Sequence, residues 1–224
     1  MAKNSRKKVK SGSKKPSGRN VGSLSGEKDA LGLRVIGGRF RGSKLQYSGD
    51  NRVRPMKDRT REAVFNLIST ASKGKHVIDL FAGTGALAIE ALSRGAVSAT
   101  LIEKHLATMR NLRINIESLV LADCCRPVQA DAFYMARHPA ELQVPDRLPW
   151  LVFCSPPYSF YDEKQEAMLE MLQLLYENAP LESIFVIEAD KQFDFSLLQL
   201  AEENDLRRRS YPPAEIGVYG KFGV

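Results

Sequence analysis

Four consecutive residues that directly follow an apolar run could hold a base through its exocyclic amino group. Ser155, Pro156, Pro157 and Tyr158 directly follow the strand-like stretch WLVFC. Proline fixes φ and has no N–H, so the turn is stiff and presents carbonyl oxygens as acceptors. The Ser155 hydroxyl and the Pro156 carbonyl can accept from an amino group, and Tyr158 can stack on the base. Taken alone, the same pattern also fits a turn that simply ends a strand.

Such a corner could support transfer of a methyl group to nitrogen without a metal or a strong base. It would hold the nitrogen lone pair against a methyl group that a sulfonium already activates, and positioning would supply most of the rate. Cys154 is expected to be a buried strand residue rather than a nucleophile, because no histidine lies near it in the sequence. The other cysteines, Cys124 and Cys125, lack the spacing of metal ligands, so we expect reduced thiols and no metal.

A second cluster, DLFAGTGALAIEAL at residues 79–92, could bind a nucleotide-like cofactor. Its pattern predicts a buried strand, a glycine turn and a helix, and Gly83 and Gly85 would let a ligand approach the backbone. Residues 83–88 satisfy the dinucleotide pattern G-x-G-x-x-A. The stretch also fits an adenosylmethionine loop, in which Asp79 would engage the amino-acid end of the cofactor directly or through water. A glycine turn that binds nothing is the third interpretation.

Two further acids follow the next predicted strands. Glu103, in TLIEK, ends the next predicted strand 20 residues after Gly83, where a carboxylate can accept both ribose hydroxyls of either cofactor. Asp131 in QADA follows the third strand and could hold an adenine amino group. Asp123 is the alternative candidate there, although turns often contain Asp for structural reasons.

The elements that must position these residues alternate from His76 onward. Short apolar strands and amphipathic helices predict an α/β fold with a doubly wound, mostly parallel sheet. Ligands of such sheets bind beyond the carboxyl ends of the strands, where all of these candidates would lie. Before this region we expect a hairpin over residues 33–47 and a helix with Asp58 as its N-cap. After it we expect a helix near residues 196–204 and two terminal strands.

Charge divides the 224 residues into three predicted segments. Residues 1–30 form a basic tail, expected to be disordered, and residues 31–75 form an equally basic hairpin and helix that would bind RNA. Residues 76–224 carry more acids than bases and would form the catalytic domain. This asymmetry favours a polyanionic partner. No apolar run has the length of a membrane span and no secretory signal is visible, so we expect a cytoplasmic protein without a membrane partner.

Together these motifs resemble a known family. D-x-F-x-G-x-G at 79–85 followed by S-P-P-Y at 155–158 resembles class I S-adenosylmethionine-dependent amino-group methyltransferases, whose sheet is seven-stranded and Rossmann-like. The stretches LRVIGGRFRGSKL at 33–45 and R-P-x-x-D-R-x-R-E-x-x-F-N at 54–66 resemble the bacterial 16S ribosomal RNA guanine-N2 methyltransferases, the RsmD-like proteins. GALAIEALSRGA at 85–96 continues the resemblance, which covers residues 31–224.

The resemblance implies methylation of the exocyclic N2 of a guanine in 16S rRNA or in an assembly intermediate of the small subunit, with S-adenosyl-L-methionine as cofactor. The base would be held by residues 155–158. The implied cofactor residues are Asp79, Phe81, Ala82, Gly83, Gly85, Glu103, Asp131 and Ala132. The arginines implied to meet RNA phosphate or to help close the site are Arg39, Arg41, Arg54, Arg59 and Arg61. The family usually has Asp where this chain has Ser155, and a hydroxyl is a weaker, neutral acceptor.

Two other functions remain as alternatives. One is an amino methyltransferase that acts on adenine or cytosine in RNA or DNA, which the S-P-P-Y motif alone also fits. The other is a non-catalytic RNA-binding assembly factor on the same scaffold, suggested by Ser155 and the basic tail. A NAD-dependent enzyme is disfavoured, because nothing after the glycine loop resembles a dehydrogenase site.

Overall fold

A seven-stranded sheet forms the centre of the protein in this computed structural model, which describes residues 1, 32–49, 55–200 and 206–221. The strand order is β3-β2-β1-β4-β5-β7-β6. β7 runs antiparallel to both of its neighbours and the other pairs are parallel, which confirms the predicted mostly parallel sheet. The strands are β1 His76–Asp79, β2 Ser98–Ile102, β3 Cys125–Val128, β4 Trp150–Cys154, β5 Ser183–Asp190, β6 Leu206–Tyr211 and β7 Ala214–Lys221.

Helices cover both faces of the sheet. They are α1 Asp58–Ile68, α2 Ala86–Ser93, α3 Leu106–Ser118, α4 Ala132–Arg137, α5 Phe160–Glu163 and α6 Gln165–Asn178. The first three pack on one face through buried side chains such as Phe65, Leu92 and Leu112. The last three pack on the other face, with Met135 and Leu172 in its core. Each face therefore has its own apolar core. The central strands are buried between the two, whereas the edge strand β6 is largely exposed.

The connections change direction between β1 and β4. From β1 the chain continues outward to β2 and β3, whereas β4 and β5 are added on the other side of β1. The registers place Asp79 beside Phe153, so the ends of β1 and β4 lie next to each other at one edge of the sheet. A crevice forms at such a switch point, and the residues that follow both strands must line it.

Several local expectations differ from the structure. The hairpin over 33–47 consists of one antiparallel bridge, Arg34↔Lys44, closed by a 3-10 turn at Gly38–Phe40. Asp58 is the first residue of α1 rather than its cap, because its carboxylate is taken by the Arg34 and Arg61 guanidinium groups. The helix expected near 196–204 is reduced to a 3-10 turn at Phe195–Leu197, and residues 201–204 lie outside the described residues. The strands expected at the end are confirmed.

The front segment, residues 32–49, is attached to α2 mainly through its backbone. The fully buried Glu90 accepts the N–H groups of Ile36 and Gly37, each at 2.7 Å. The Ser93 hydroxyl accepts the N–H of Phe40 and donates to the carbonyl of Gly37. These bonds fix the front segment against the helix that begins at the glycine loop.

The expectations for the basic tail, residues 1–30, concern residues that, Met1 apart, lie outside the described ranges. The division of the chain into three segments therefore stays a prediction. Among the described helices, none is long and apolar enough to cross a membrane.

Candidate active site

A cavity of about 410 Å³ opens at the carboxyl edge of the sheet. Residues 80–84 of the glycine loop and residues 155–158 of the Pro-Pro turn line it from two sides. The start of α1 and the β6–β7 turn at residues 211–214 complete the wall. The structure thus brings the predicted cofactor residues and the predicted base-holding residues to one cavity. Asp79 and Gly85 lie behind the lining residues.

The glycine loop adopts backbone conformations that favour glycine. Gly83 has φ 54° and Gly85 has φ 80°, both in the left-handed region. A Cβ on Gly85 would also collide with the Leu112 side chain. The turn therefore lies tightly between β1 and α2, and a ligand in the cavity would meet backbone rather than side chain at Gly83.

Glu103 connects the end of β2 to this loop. Its carboxylate is largely buried and accepts the Gly83 N–H at 3.0 Å on one oxygen and the His105 N–H at 2.7 Å on the other. Each carboxylate oxygen has a further lone pair, so both can still accept from a pair of hydroxyls. Backbone amides therefore fix the orientation of this side chain in the cavity wall.

Asp79, at the end of β1, is a buried carboxyl group that is only 1% exposed. Within the part of the chain that the structure describes, neither of its oxygens has a hydrogen-bond partner. Burial raises its pKa to about 7; the nearby N–H of Ala88 opposes this shift and the charge of Glu103 adds to it. A buried polar group without partners calls for an external donor. A cationic ammonium, directly or through water, fits this carboxylate.

Asp131 has two structural functions in addition to the role predicted for it. It caps α4 by accepting the Phe133 N–H at 2.9 Å, and its other oxygen pairs with Lys104 Nζ at 2.9 Å. Partial burial would raise its pKa, but the hydrogen bond and charge of Lys104 outweigh burial and lower it. Asp131 lines the cavity, whereas the alternative, Asp123, is exposed and does not. The helix α4 was not predicted from the sequence.

Three phenylalanines form an apolar wall of the cavity. The ring centroids of Phe81, Phe133 and Phe160 lie 6.0–6.3 Å apart. Lys164 Nζ lies 4.0 Å from the Phe160 ring centroid. Only Phe81 was predicted from the sequence. Such a wall can take the flat face of a heterocycle.

The Pro-Pro turn is held by a residue that sequence reasoning missed. Glu188, near the end of β5, accepts hydrogen bonds from the Ser155 hydroxyl on one oxygen and from the Tyr158 hydroxyl, at 2.8 Å, on the other. It lines the cavity and is only 9% exposed. An acid inside the apolar stretch FVIEAD is the signal that could have found it, because a buried carboxylate needs partners.

Cys154 is buried in β4, as expected. Its side chain is 1% exposed, and burial raises the pKa of its thiol far above the usual range. The thiol therefore stays protonated at neutral pH, which agrees with the interpretation that it is not a nucleophile. Among the described residues, no group of His, Cys, Asp or Glu could hold a metal ion.

The predicted arginines fall into different environments. Arg39 and Arg41 are exposed at the 3-10 turn that packs on the last turn of α2, away from the cavity. Arg59 is exposed in α1, next to the cavity-lining Thr60. Arg54 lies outside the described residues.

Arg61 requires a correction. It is 0% exposed, and its guanidinium donates to the carbonyl oxygens of Met56 and Arg34 and to Asp58. Contact with RNA phosphate is therefore the wrong role for it in this structure. Instead it braces the start of α1 against the front segment.

Comparison with known proteins identifies the family. A family model described as conserved hypothetical protein 95 (Cons_hypoth95) matches residues 33–219. The ribosomal RNA small subunit methyltransferase D of Escherichia coli K12 is 34% identical over 160 residues, which cover 70% of this chain and 75% of that protein. The protein of the same name from Haemophilus influenzae is 30% identical over 168 residues, covering 74% of this chain and 82% of the relative.

Solved structures agree with this relationship. The candidate methyltransferase YhhF of Escherichia coli superposes with a TM-score of 0.66 at 29% identity, over 85% of this chain and 98% of its own. A 16S rRNA N2 methyltransferase of Thermus thermophilus (RsmC), solved with AdoMet and guanosine, gives a TM-score of 0.58 at 16% identity. It covers 78% of this chain and 45% of its own length, and it shows a common fold alone. As the resemblance predicts, the chain has the class I methyltransferase fold and belongs to the RsmD-like family of ribosomal RNA small subunit methyltransferases.

Proposed function

We propose that this protein transfers a methyl group from S-adenosylmethionine to the exocyclic N2 of a guanine in 16S rRNA. One observation carries the proposal: a single cavity is lined by the glycine loop on one side and by a Pro-Pro turn with hydrogen-bond acceptors on the other, and the buried, partnerless carboxylate of Asp79 lies behind the loop. The names of the curated relatives support a small-subunit rRNA substrate. The Thermus protein that shares the fold supports guanosine as a base that fits such a cavity.

The residues around the glycine loop fit the cofactor. When bound, S-adenosylmethionine supplies a methyl group on a sulfonium, which is already electrophilic. Asp79 offers a buried carboxylate to the ammonium of its amino-acid end, and Glu103 offers two oriented oxygens to the ribose hydroxyls. Asp131 would hold the adenine amino group, with Ala132 and Phe81 beside it and with Ala82 and Gly83 completing the wall.

The residues of the Pro-Pro turn would hold the target base. The Ser155 hydroxyl and the Pro156 carbonyl would accept hydrogen bonds from the two N–H groups of an exocyclic amino group. Tyr158 offers an aromatic face to the base, and its hydroxyl is held at Glu188. Orientation of the amine lone pair is the main contribution of such a site, because the methyl donor needs no further activation.

The RNA would be gripped outside the cavity. Arg39, Arg41 and Arg59 are exposed cations on the front segment and α1, and Lys57 lies at the cavity itself. These charges would neutralise phosphates and release counterions without reading sequence. The basic tail would add to this term, and its partner would be 16S rRNA or an assembly intermediate in the cytoplasm.

A second candidate function is an RNA-binding assembly factor that no longer transfers methyl groups. Ser155 favours it, because a neutral hydroxyl stands where the family usually has a carboxylate. This candidate predicts that the protein binds both rRNA and S-adenosylmethionine but shows no turnover.

One assay separates the candidates. Purified protein would be incubated with labelled S-adenosylmethionine and either unmodified small-subunit rRNA or partly assembled subunits, followed by mass analysis of the nucleosides. We expect label as N2-methylguanine. Label on adenine or cytosine would replace the proposed base by another, and binding without any label would favour the assembly factor.

A further inference from the structure

Glu188 joins the two hydroxyl groups of the Pro-Pro turn. Its strand β5 lies beside β4 with Ile187 paired to Cys154, so the next residues, Glu188 and Ser155, are neighbours. Both Ser155 and Tyr158 donate their hydroxyl protons to it, one to each carboxylate oxygen. A largely buried carboxylate loses much of its hydration. At this cavity wall, two hydroxyl partners replace the lost water.

A serine hydroxyl can act as a donor or as an acceptor, and its rotation decides which. With its proton directed at Glu188, the Ser155 oxygen presents only lone pairs to the rest of its surroundings. It can then accept from a substrate amino group and cannot compete with it as a donor. The Ser155–Glu188 pair thereby offers the cavity an acceptor backed by a negative charge, although residue 155 itself is neutral.

We propose that Glu188 is a positioning residue that makes Ser155 an acceptor and takes up the proton that the substrate amine releases. The proposal rests on the proposed function, because it concerns the same transfer. The carboxylate that takes part in this reaction is then supplied by β5 rather than by the Pro-Pro turn.

The proton balance is complete with these two side chains. The nitrogen forms its bond to the methyl carbon with its lone pair, and the electrons of the broken C–S bond stay on sulfur. The nitrogen then carries one proton too many, and it keeps the electrons of the N–H bond as that proton passes to the Ser155 oxygen. Ser155 gives its own proton to Glu188, so the carboxylate ends protonated and the serine is unchanged.

The test is a double-mutant cycle on the full chain, with methyl transfer to small-subunit rRNA measured by kcat and KM. The variants are Glu188→Gln, Ser155→Asp and both together. Glu182→Gln, at an exposed residue directly before β5, is the matched control. Glu188→Gln should lower kcat by about 100-fold, the scale of a lost proton acceptor, with KM for RNA unchanged within about twofold.

The double variant gives the distinguishing result. Ser155→Asp alone should be slower than wild type, because it places a second carboxylate against Glu188. The double variant again has one carboxylate in the site, now at position 155 instead of 188, and its kcat should recover to within about tenfold of wild type. If Glu188 had only a structural role, the losses in kcat caused by the two substitutions would be additive.

Two binding measurements accompany the kinetics. Affinity for S-adenosylmethionine, and affinity for unmodified RNA without the cofactor, should match wild type in Glu188→Gln, because the proton step follows binding. Glu188→Asp, which shortens the side chain but keeps the carboxylate, should retain more activity than Glu188→Gln and serves if the latter does not fold. Full activity of Glu188→Gln, or a double variant no faster than its slower parent, would overturn this inference alone. A wild type that binds both ligands without transfer would overturn the proposed function as well.

Discussion

The two halves of the cavity are built differently. In the cofactor half, backbone amides hold two of the three acidic side chains: Gly83 and His105 hold Glu103, and Phe133 holds Asp131. In the base half, side chains hold one another, since the hydroxyls of the Pro-Pro turn both depend on a single carboxylate of β5. Backbone donors follow from the fold itself, whereas a side-chain network depends on each residue. The base half should therefore be the more sensitive half to substitution.

The largest expected effect is in the base half. Tyr158→Ala removes the aromatic face and one partner of Glu188 and should lower kcat/KM for rRNA by about 100-fold, the upper range of base stacking. S-adenosylmethionine affinity, measured by calorimetry, should stay within about twofold of wild type. Tyr134→Ala, an exposed tyrosine of α4, is the control. Loss of cofactor affinity in Tyr158→Ala would show that the halves are not separable.

The next effect is in the cofactor half. Glu103→Gln should weaken S-adenosylmethionine binding by about 30-fold, because hydrogen bonds to a charged group contribute about 1.5–3 kcal/mol. Calorimetric titration measures this, with Glu117→Gln on the exposed face of α3 as the control. RNA affinity should not change. Equal cofactor affinity in both variants would contradict the role of Glu103.

The pH dependence of stability distinguishes Asp79 from Glu103 within the cofactor half, because the Asp79 carboxylate lacks the backbone partners that the Glu103 carboxylate has. Its pKa is raised from 3.8 to about 7, so between these values it is protonated in the folded protein and ionised in the unfolded chain. The stability that it contributes is therefore fully present below pH 3.8 and is lost as the pH rises toward 7. The free energy of unfolding of Asp79→Asn should therefore rise relative to that of wild type by about 1.4 kcal/mol per pH unit across this window.

Urea unfolding of ligand-free protein at several pH values between 4 and 7 measures that difference. Asp146→Asn, at an exposed loop residue before β4, provides the comparison. Parallel pH profiles of wild type and Asp79→Asn would mean that the carboxylate is already ionised in the folded, ligand-free protein, and they would contradict both its raised pKa and its lack of partners.

The smallest effect lies outside both halves. Arg39→Gln combined with Arg41→Gln should weaken rRNA binding by a few fold and reduce the salt dependence by about 0.7 for each lost phosphate contact. Binding measured at several salt concentrations gives the slope, and Arg147→Gln, in the loop before β4, is the control. A change in cofactor affinity would show that this surface is coupled to the cavity.

The same contrast explains what could be predicted from the sequence. The cofactor half is encoded locally, since a glycine pattern and acids at strand ends place Asp79 and Glu103 without knowledge of tertiary structure. Glu188 lies 33 residues from Ser155 and its pairing depends on which strands are neighbours. The strand order that decides this is not visible in the alternation of helices and strands.

The local predictions that differ from the structure do so for similar reasons. Asp58 has the residue type of a helix cap, but Arg34, 24 residues earlier, takes its carboxylate. Arg61 has the charge of an RNA contact, but the packing of α1 against the front segment buries it. The six residues of α4 are too few to show a helical period, and its cap, Asp131, had been assigned to another role.

The attachment of the front segment at Glu90 has a consequence for how this protein can change through evolution. Its two bonds use the amides of Ile36 and Gly37, which every residue type except proline could supply. The side chain of residue 36 can therefore diverge while the join persists, whereas position 90 cannot. Position 37 is restricted as well, because a Cβ there would meet the Arg94 guanidinium that Glu90 also holds. Chimeras that exchange residues 32–49 between relatives should stay docked as long as the recipient keeps Glu90 together with Ser93 and Asn115, whose side chains also bond the backbone of this segment. The front segment, with its exposed Arg39 and Arg41, could thus be exchanged as a unit without rebuilding the sheet.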